Sequence, residues 1–203
     1  MNYISVYIYY TLEDEHKAFY FLCFLVEEYL SEHFSDDLSG VMKLGFIVDK
    51  NLEVNSGFLW NKFAKVGLTS VHFTVSLFLT VFATYITNKN LYPFVDRIWD
   101  LFLADKYIGL IRICLYLLKA QEREMLKMDE HELMYALKRI DASPLGISMG
   151  PGSDPNVESL RVQLLVKKKL LSYKLDVRFY EYLSEYYDEV HMRLERFRKK
   201  NGL

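Results

Sequence analysis

The sequence predicts an all-α fold, and three features of its 203 residues lead to this interpretation. Apolar residues recur every three or four positions through most of the chain, as they do in amphipathic helices. No segment shows the sustained alternation of apolar and polar residues, bounded by hairpin turns, that is typical of half-buried strands. Three of the four prolines and three of the nine glycines fall in one stretch, residues 142–156. We therefore expect helices with short connections, followed by one long linker.

Composition excludes several classes of protein. A hydrophobic fraction of 51% and an aromatic fraction of 16% exclude a wholly disordered chain, which lacks the apolar area needed to offset ordering entropy. The net charge of −2 provides no general attraction to nucleic acid, so no nucleic-acid partner is expected. Cys23 and Cys114 lie in apolar runs, and both are predicted to be core residues. No Lys or Arg precedes Lys17, so we expect no signal peptide. We expect a cytoplasmic protein.

The first third of the chain predicts two helices and a looser stretch. The apolar run Tyr3–Tyr10 indicates a first helix, and Thr11–Asp14 indicates the cap of the next. That helix has apolar residues at helical spacing: Ala18, Phe19, Leu22, Leu25, Val26, Tyr29 and Leu30. Ser35–Asp37 with Gly40 and Gly45 then predicts a loose region containing a turn or a short helix.

The middle of the chain contains a long uncharged segment. A helix over Leu59–Val66 is expected to end at Gly67 in the left-handed conformation. No charged residue lies between Lys65 and Lys89, and a helix is predicted from Ser70 to about Ile86. Its length could cross a bilayer. The segment is rich in hydroxyl groups and the chain offers no second span, so a helix buried in a globular core is the favoured interpretation.

Three further helices are predicted before the linker. Asn88–Asn90 indicates a turn, after which Pro93 suits the first helical position because proline has no N–H to leave unpaired there. Apolar spacing then indicates helices over about 95–103 and 108–118. Asp129 is predicted to cap the next helix, which extends to Ile140.

The tail after the linker differs in charge from the rest of the chain. Residues 161–200 hold eleven basic and six acidic side chains, a net of about +5 that leaves about −7 for the remainder. The tail is predicted to be one long helix, or two helices joined near Ser172. One apolar stripe runs along it: Phe179, Leu183, Tyr186, Val190 and Phe197. Docking on the acidic body is the favoured interpretation of this stripe, and a second copy or an anionic membrane surface are the alternatives.

Motifs for chemistry are absent from the sequence. The five histidines form no paired-ligand spacing, so no metal site is predicted. The Gly-rich run Gly146–Gly152 lacks the lysine and hydroxyl residue of a phosphate loop. The acidic residues at Asp36–Asp37 and Asp129–Glu132 are interpreted as a solvated turn and a solvated helix start. Arg97 and Asp100 lie three positions apart among large apolar residues, so we expect them to form an ion pair at the edge of the core.

Three blocks of sequence, in order along the chain, resemble the later helices of the Rab GTPase-activating (TBC) domain. They are Phe78–Phe82 (FLTVF), Arg97–Leu103 (RIWDLFL) and Ile111–Lys119 (IRICLYLLK). Met1 and Asn2 also resemble the end of that family's Tyr-x-Gln-Gly-Met-Asn motif. The resemblance covers about residues 1–140. The residues that match family motifs are Met1, Asn2, Phe78, Leu79, Arg97, Ile98, Trp99 and Asp100.

The resemblance implies a domain organisation. Residues 1–141 would form a partial TBC-like helical array, similar to the C-terminal subdomain of that family's domain. A linker over 142–156 and a basic amphipathic helical tail over 157–203 would follow. The implied partner is a Rab-type small GTPase, and the implied location is the cytoplasm, peripheral on endomembranes.

The resemblance also implies where catalytic groups would lie. Members of the family accelerate GTP hydrolysis on Rab proteins by inserting an arginine and a glutamine beside the nucleotide. Both residues would lie before Met1, and no IxxDxxR motif occurs in the chain, so no catalytic residue, cofactor or metal ligand is assigned. We expect a regulator that is inactive as this chain, either a truncated product or a short protein that has lost catalysis. The alternative is a non-catalytic scaffold that binds a GTPase or, through residues 157–200, a coiled-coil partner or a membrane surface.

Overall fold

The computed structural model describes residues 2–84, 92–138 and 175–201. Those residues contain helices and no strands, which confirms the all-α prediction. The helices, in chain order, are α1 (Asn2–Leu12), α2 (Glu15–Glu28), α3 (Ser39–Asn55), α4 (Gly57–Lys65), α5 (Val71–Leu79), α6 (Tyr92–Met125), α7 (Glu130–Lys138) and α8 (Val177–Asn201). The linker predicted at 142–156 and the tail before residue 175 lie outside the described residues.

Helix α3 is the centre of the packing. It contacts α4, α5, α6 and α8, while α1 packs mainly on α2. Eight of its residues are buried, and they recur at helical spacing: Gly40, Val41, Leu44, Gly45, Ile47, Val48, Asn51 and Leu52. A helix with so wide a buried face must have neighbours on several sides.

The loose stretch predicted at Gly40 and Gly45 is wrong, because both glycines lie inside the 17-residue helix α3. A Cβ atom at Gly45 would come within 2.9 Å of Thr74 Oγ1 and of Val71 Cγ2 on α5. At Gly40, a Cβ atom would come within 2.8 Å of Glu32. These glycines therefore allow close packing between segments, a role that their turn propensity does not reveal.

Helix α1 continues past Thr11, where the sequence indicated the cap of α2. Thr11 lies within α1, and its Oγ1 donates to the carbonyl of Tyr7 at 2.9 Å, so it does not cap α2. Asp14 does: its Oδ1 accepts from the backbone N–H of Lys17 at 3.0 Å. Glu13, with a φ of 51°, turns the chain between the two helices.

The long uncharged helix predicted from Ser70 to about Ile86 is also wrong. Helix α5 ends at Leu79, and the backbone then turns, with Val81 and Phe82 at φ values of 48° and 60°. Both side chains are fully buried, so packing offsets the cost of about 1–2 kcal/mol per residue for left-handed backbone. Among the described residues, no helix is long and apolar enough to span a membrane.

Other predicted boundaries agree with the structure. Gly67 has a φ of 69° after α4, as expected for a left-handed cap. The two helices expected at 95–103 and 108–118 form the single element α6, with a kink at Lys106. The Lys106 ammonium lies 5.1 Å from the centre of the Tyr29 ring, and the Tyr107 hydroxyl donates to the Tyr29 carbonyl. The kink in α6 is therefore packed against the end of α2.

Helix α8 begins at Val177, where the Asp176 carboxylate caps it by accepting from the N–H of Arg178 at 3.0 Å. The tail is thus not one continuous helix from residue 157. Docking on the body, the favoured interpretation, is confirmed for the first half of α8. Leu183 is buried, and the Asp188 carboxylate pairs with Lys43 of α3 at 2.6 Å.

Candidate functional site

The block Asp96–Asp100 lies where α6 meets α1. The Tyr7 hydroxyl of α1 donates to Asp96 Oδ1 at 2.8 Å, and the Tyr7 ring lies 4.6 Å from the ring of Trp99. Burial, and then the hydrogen bond to Asp96, raise the pKa of Tyr7. Burial also raises the pKa of Asp96. This junction therefore joins the beginning of the chain to α6 through one polar and one aromatic contact.

The apolar members of the block are core residues. Ile98 is 0% exposed and Trp99 is 4% exposed. Trp99 also packs edge-on against Phe102, with 6.1 Å between ring centres. Side chains buried to this extent stabilise the fold and cannot reach a partner protein.

Arg97 and Asp100 form the ion pair that the sequence predicts. The two residues lie on one side of α6, and about a third of the Arg97 side chain is exposed. Pairing with Asp100 neutralises the Arg97 charge locally and holds its side chain along the helix surface. Arg97 is therefore not extended into solvent on its own.

The remaining family-motif residues do not gather around the block. Phe78 is fully buried and packs edge-on against Phe82, with 6.2 Å between ring centres. Leu79 is half-buried, and Asn2 is the exposed first residue of α1. Met1 lies outside the described residues. The structure therefore places these residues at separate positions in the fold.

Apolar side chains cover the outer faces of α1 and α2. On α1, Ile4, Tyr7 and Ile8 are buried, whereas the opposite side exposes Tyr3 (45%) and Val6 (44%). On α2 the exposed aromatic residues are Phe19, Tyr20 and Phe24. Contiguous apolar surface of this kind marks interaction sites on soluble proteins. The sequence indicated an apolar first helix but not which side of it faces the body.

In the described part of the chain, no group of three His, Cys, Asp or Glu side chains could hold a metal ion. Cys114 is fully buried, and burial raises the pKa of its thiol, which makes it inert. Cys23 is only partly buried, so its assignment to the core is wrong.

The two acidic clusters have structural roles, as predicted. Asp129 Oδ1 accepts from the N–H of Glu132 at 2.8 Å, and Glu132 Oε2 accepts from the N–H of Asp129 at 3.0 Å. This reciprocal capping begins α7. Asp37, which is exposed, accepts from the N–H of Ser39 at the start of α3.

The sequence did not indicate that His33 is buried. His33 is 0% exposed, and its ring stacks on Tyr107 with 4.8 Å between centres and 8° between planes. Burial lowers its pKa to about 4. No spacing in the sequence distinguishes His33 from the exposed histidines, because its burial results from the packing of α6 on the segment after α2.

Comparison with known proteins identifies one family model and two similar proteins. A model of the Rab-GTPase-TBC domain matches residues 1–126. The GTPase-activating protein GYP5 of Saccharomyces cerevisiae is 28% identical over 209 residues, covering 94% of this chain and 23% of GYP5. GYP5 of Eremothecium gossypii is 29% identical over 126 residues, covering 62% of this chain and 15% of that protein. The chain thus spans less than a quarter of either relative. No solved structure matches it.

The family match ends directly after helix α6. Residue 126 directly follows α6, so the matched region holds the described helices α1–α6, including the Asp96–Asp100 block and its contact with α1. The matched region covers well over half of the chain, and its helices are those in which the motif residues lie. This chain belongs to the Rab-GTPase-TBC domain family.

Proposed function

We propose that this chain is part of a regulator of the GTPase-activating type that binds a Rab-family GTPase, and that these 203 residues alone do not accelerate GTP hydrolysis. Its family and its similarity to two GTPase-activating proteins support the first statement. The pairing of Arg97 with Asp100 carries the second. A cytoplasmic location, peripheral on endomembranes, fits this proposal.

Hydrolysis on the partner requires groups that Arg97 and Arg112 do not supply. An inserted arginine stabilises charge on the transferring phosphoryl group and accelerates hydrolysis by about 10³–10⁵-fold, while a glutamine orients the attacking water. Within the family-matched helices, Asp100 holds Arg97 and Asp105 holds Arg112 at 2.8 Å. Neither of these two arginines is positioned to extend into the nucleotide site of a partner. Arg123, the third arginine of these helices, is exposed near the end of α6.

The outer face of α1 is the surface that we assign to GTPase binding. Its exposed apolar residues lie on a helix whose other side is fixed by Tyr7 to α6, so the surface is held rigidly in place. A rigid surface loses little conformational entropy on binding. Tyr3 and Val6, one turn apart, would supply the apolar contacts.

Single-turnover hydrolysis of GTP by a panel of purified Rab GTPases tests the catalytic part of the proposal. Yeast GYP5, with a GTPase that it activates, shows that the assay detects activation. The full 203-residue chain is expected to leave every hydrolysis rate unchanged. An acceleration of about 100-fold, well within the range of an inserted arginine, would contradict the proposal.

Binding is tested separately, with immobilised GTP-loaded Rab proteins and the full chain. Val6→Asp places a charge on the α1 face and is expected to weaken binding at least about 10-fold, because burying an unpaired carboxylate is costly. Phe58→Asp is the matched control, since Phe58 is exposed on α4. The α1 assignment is wrong if Phe58→Asp weakens binding as much as Val6→Asp does. Absence of binding to every Rab would contradict the proposed partner.

A further inference from the structure

The docked side of α8 continues past the body. On that side Leu183 is 4% exposed, and the Tyr186 ring stacks on that of Phe46 of α3 with 6.3 Å between centres. At about 100° per residue, Val190 and Leu194 lie within about 20° of Leu183 around the helix. Their side chains are nevertheless 36% and 51% exposed. The body therefore supports the first half of α8 and leaves the same side uncovered in the second half.

The second half of α8 projects from the body. His191 lies near the point of departure, with its Nε2 3.7 Å from Asp37 Oδ2 in the segment before α3. From residue 192 to residue 200, every side chain except the half-buried Glu195 is exposed, although Phe197 already has an interaction within the chain. We refer to residues 192–200 as the α8 tip.

Charge is divided between the two halves of α8. The docked half, residues 177–191, holds four acidic side chains and one basic one. The α8 tip has a net charge of +4, because it holds one acidic residue, Glu195, and five basic residues: Arg193, Arg196, Arg198, Lys199 and Lys200. A helix end favours basic residues only in its last turn, and Arg193 and Arg196 precede that turn.

Three of the five basic side chains of the tip keep their charge unpaired. Arg193 pairs with Glu189, one turn earlier in α8. Arg198 likewise pairs with Glu195. Among the described residues, no carboxylate pairs with the other three: Arg196, Lys199 and Lys200. They lie within about 100° of one another on the side of the helix opposite Leu183, so one surface can contact all three.

We propose that the α8 tip binds the surface of a membrane that contains anionic lipids. Clusters of about four to eight Lys and Arg side chains on an amphipathic helix bind negative headgroups, and each side chain adds to the attraction. A membrane is a broad, flat surface, which the end of a projecting helix reaches before the body does. Such a contact explains the peripheral location proposed above, on which the inference rests, and it is separate from the GTPase-binding face of α1.

The acidic residues of the docked half do not oppose this contact. Glu189 is paired with Arg193. The exposed Glu185 lies about 16 Å along the helix from Arg196, which is twice the screening length of about 8 Å at physiological ionic strength. Glu181 lies one turn farther away. A membrane at the tip is thus attracted by the basic residues and hardly repelled by the rest of α8.

Co-sedimentation of the full 203-residue chain with lipid vesicles tests the proposal. The chain is expected to bind vesicles of phosphatidylcholine mixed with phosphatidylserine, and not vesicles of phosphatidylcholine alone. Rising salt should weaken the binding, because ions screen the attraction between the tip and the headgroups.

A triple variant tests the role of the tip, by combining Arg196→Gln, Lys199→Gln and Lys200→Gln. Binding to the mixed vesicles should fall about 100-fold, since each basic residue near the surface contributes about five-fold. The matched control replaces one exposed arginine and two exposed lysines of the body: Arg123→Gln, Lys65→Gln and Lys127→Gln. It changes the net charge by the same amount, and its binding should stay within about two-fold of that of the wild type. Circular dichroism checks that both variants retain their helices.

Binding to GTP-loaded Rab proteins should be the same for the tip variant and the wild type, because the α1 face is unchanged. The membrane contact and the proposed function can therefore fail separately.

Three results would overturn the membrane assignment. The first is a wild-type chain that does not bind the mixed vesicles, or that binds phosphatidylcholine alone equally well. The second is an equal loss of binding in the tip variant and the control variant. The third is dimerisation of the wild type that the tip variant loses, without binding to vesicles, since this would assign the tip to a second copy.

Discussion

The two longest helices of the described residues, α6 and α8, are held in the molecule in different ways. Helix α6 buries residues on several sides, and the fully buried ones are Phe94, Val95, Ile98, Phe102, Leu110, Ile111, Ile113, Cys114, Leu117, Leu118 and Met125. In α8, Leu183 is the buried side chain, and the ion pair of Asp188 with Lys43 supplements it. We therefore expect α6 to leave its place only on global unfolding, and α8 to detach at lower cost.

Helices α6 and α8 also differ in their relation to the family match. The match to the Rab-GTPase-TBC domain ends at residue 126, directly after α6, and α8 lies beyond it. The block Asp96–Asp100 therefore lies in a helix that core packing holds in place. Helix α8 presents most of its surface to solvent.

The largest expected effect comes from Trp99, at the contact of α6 with α1. Trp99→Ala leaves a cavity next to Tyr7 and Phe102 and should lower the free energy of unfolding by about 3–5 kcal/mol. Urea denaturation measures this change. Leu103→Ala, at a position on α6 that is 37% exposed, is the control and should cost much less. Equal losses would mean that Trp99 is not part of the core.

The second effect is a loss of stability in acid that arises at His33. Its pKa of about 4 in the folded state lies below the ordinary value of 6.5. The folded chain thus binds fewer protons than the unfolded chain between these values, and His33 should cost about 3 kcal/mol of stability as pH falls from about 6.5 to 4. Nearby titratable groups are Tyr107 on α6, Tyr180 on α8 and Glu32. Burial, and then the charge of Glu32, raise the pKa of both tyrosines.

Urea denaturation at several pH values tests the role of His33. The free energy of unfolding of the wild type should fall over this range, and that of His33→Phe should fall by clearly less. Phenylalanine keeps the stacking on Tyr107 without a titratable ring. His16→Phe, at an exposed position, should keep the wild-type slope. The same slope in His33→Phe would show that the loss arises elsewhere.

A smaller effect is expected at the polar contact between α1 and α6. Tyr7→Phe removes the hydrogen bond to Asp96 and leaves that carboxylate partly buried without its tyrosine donor. The free energy of unfolding should fall by about 1.5 kcal/mol. Tyr9→Phe, on the exposed side of α1, should change it little. A similar loss in both variants would mean that the Tyr7 hydroxyl has no special role.

The smallest effect concerns the attachment of α8. Lys43→Ala removes the ion pair with Asp188, which is half exposed, so global stability should fall by no more than about 1 kcal/mol. Amide exchange in α8 should nevertheless become faster, while exchange in α6 stays the same. Lys17→Ala, which removes a pair at the start of α2, should leave α8 unchanged. Faster exchange in both helices would mean that α8 and the body open together.

Helical spacing and capping residues were enough to predict the fold class, the cap at Asp129 and the left-handed Gly67. They did not predict the backbone conformation at Gly45, Val81 or Phe82. Gly45 continues α3 because α5 passes too close for a Cβ atom. Val81 and Phe82 turn the chain because buried contacts outweigh the cost of left-handed backbone at these two residues. Both outcomes depend on contacts between distant segments, which local patterns do not contain.

At the candidate site, too, the sequence predicted the local contact but not the contacts between distant residues. The spacing of Arg97 and Asp100 predicts their ion pair, because both residues lie on one helix. The contact of Tyr7 with Asp96 joins residues 89 positions apart, and no spacing rule predicts such a pair. The burial of His33 likewise depends on Tyr107, far along the chain.

Hydrogen exchange on the full chain tests most directly whether the family-motif block belongs to the stable core. Amides of α6 around Ile98 and Trp99 should exchange only through global unfolding, with the free energy that urea denaturation gives. Amides of α8 should exchange with a clearly lower free energy. Equal protection of α6 and α8, or faster exchange around Trp99 than in α8, would contradict this assignment.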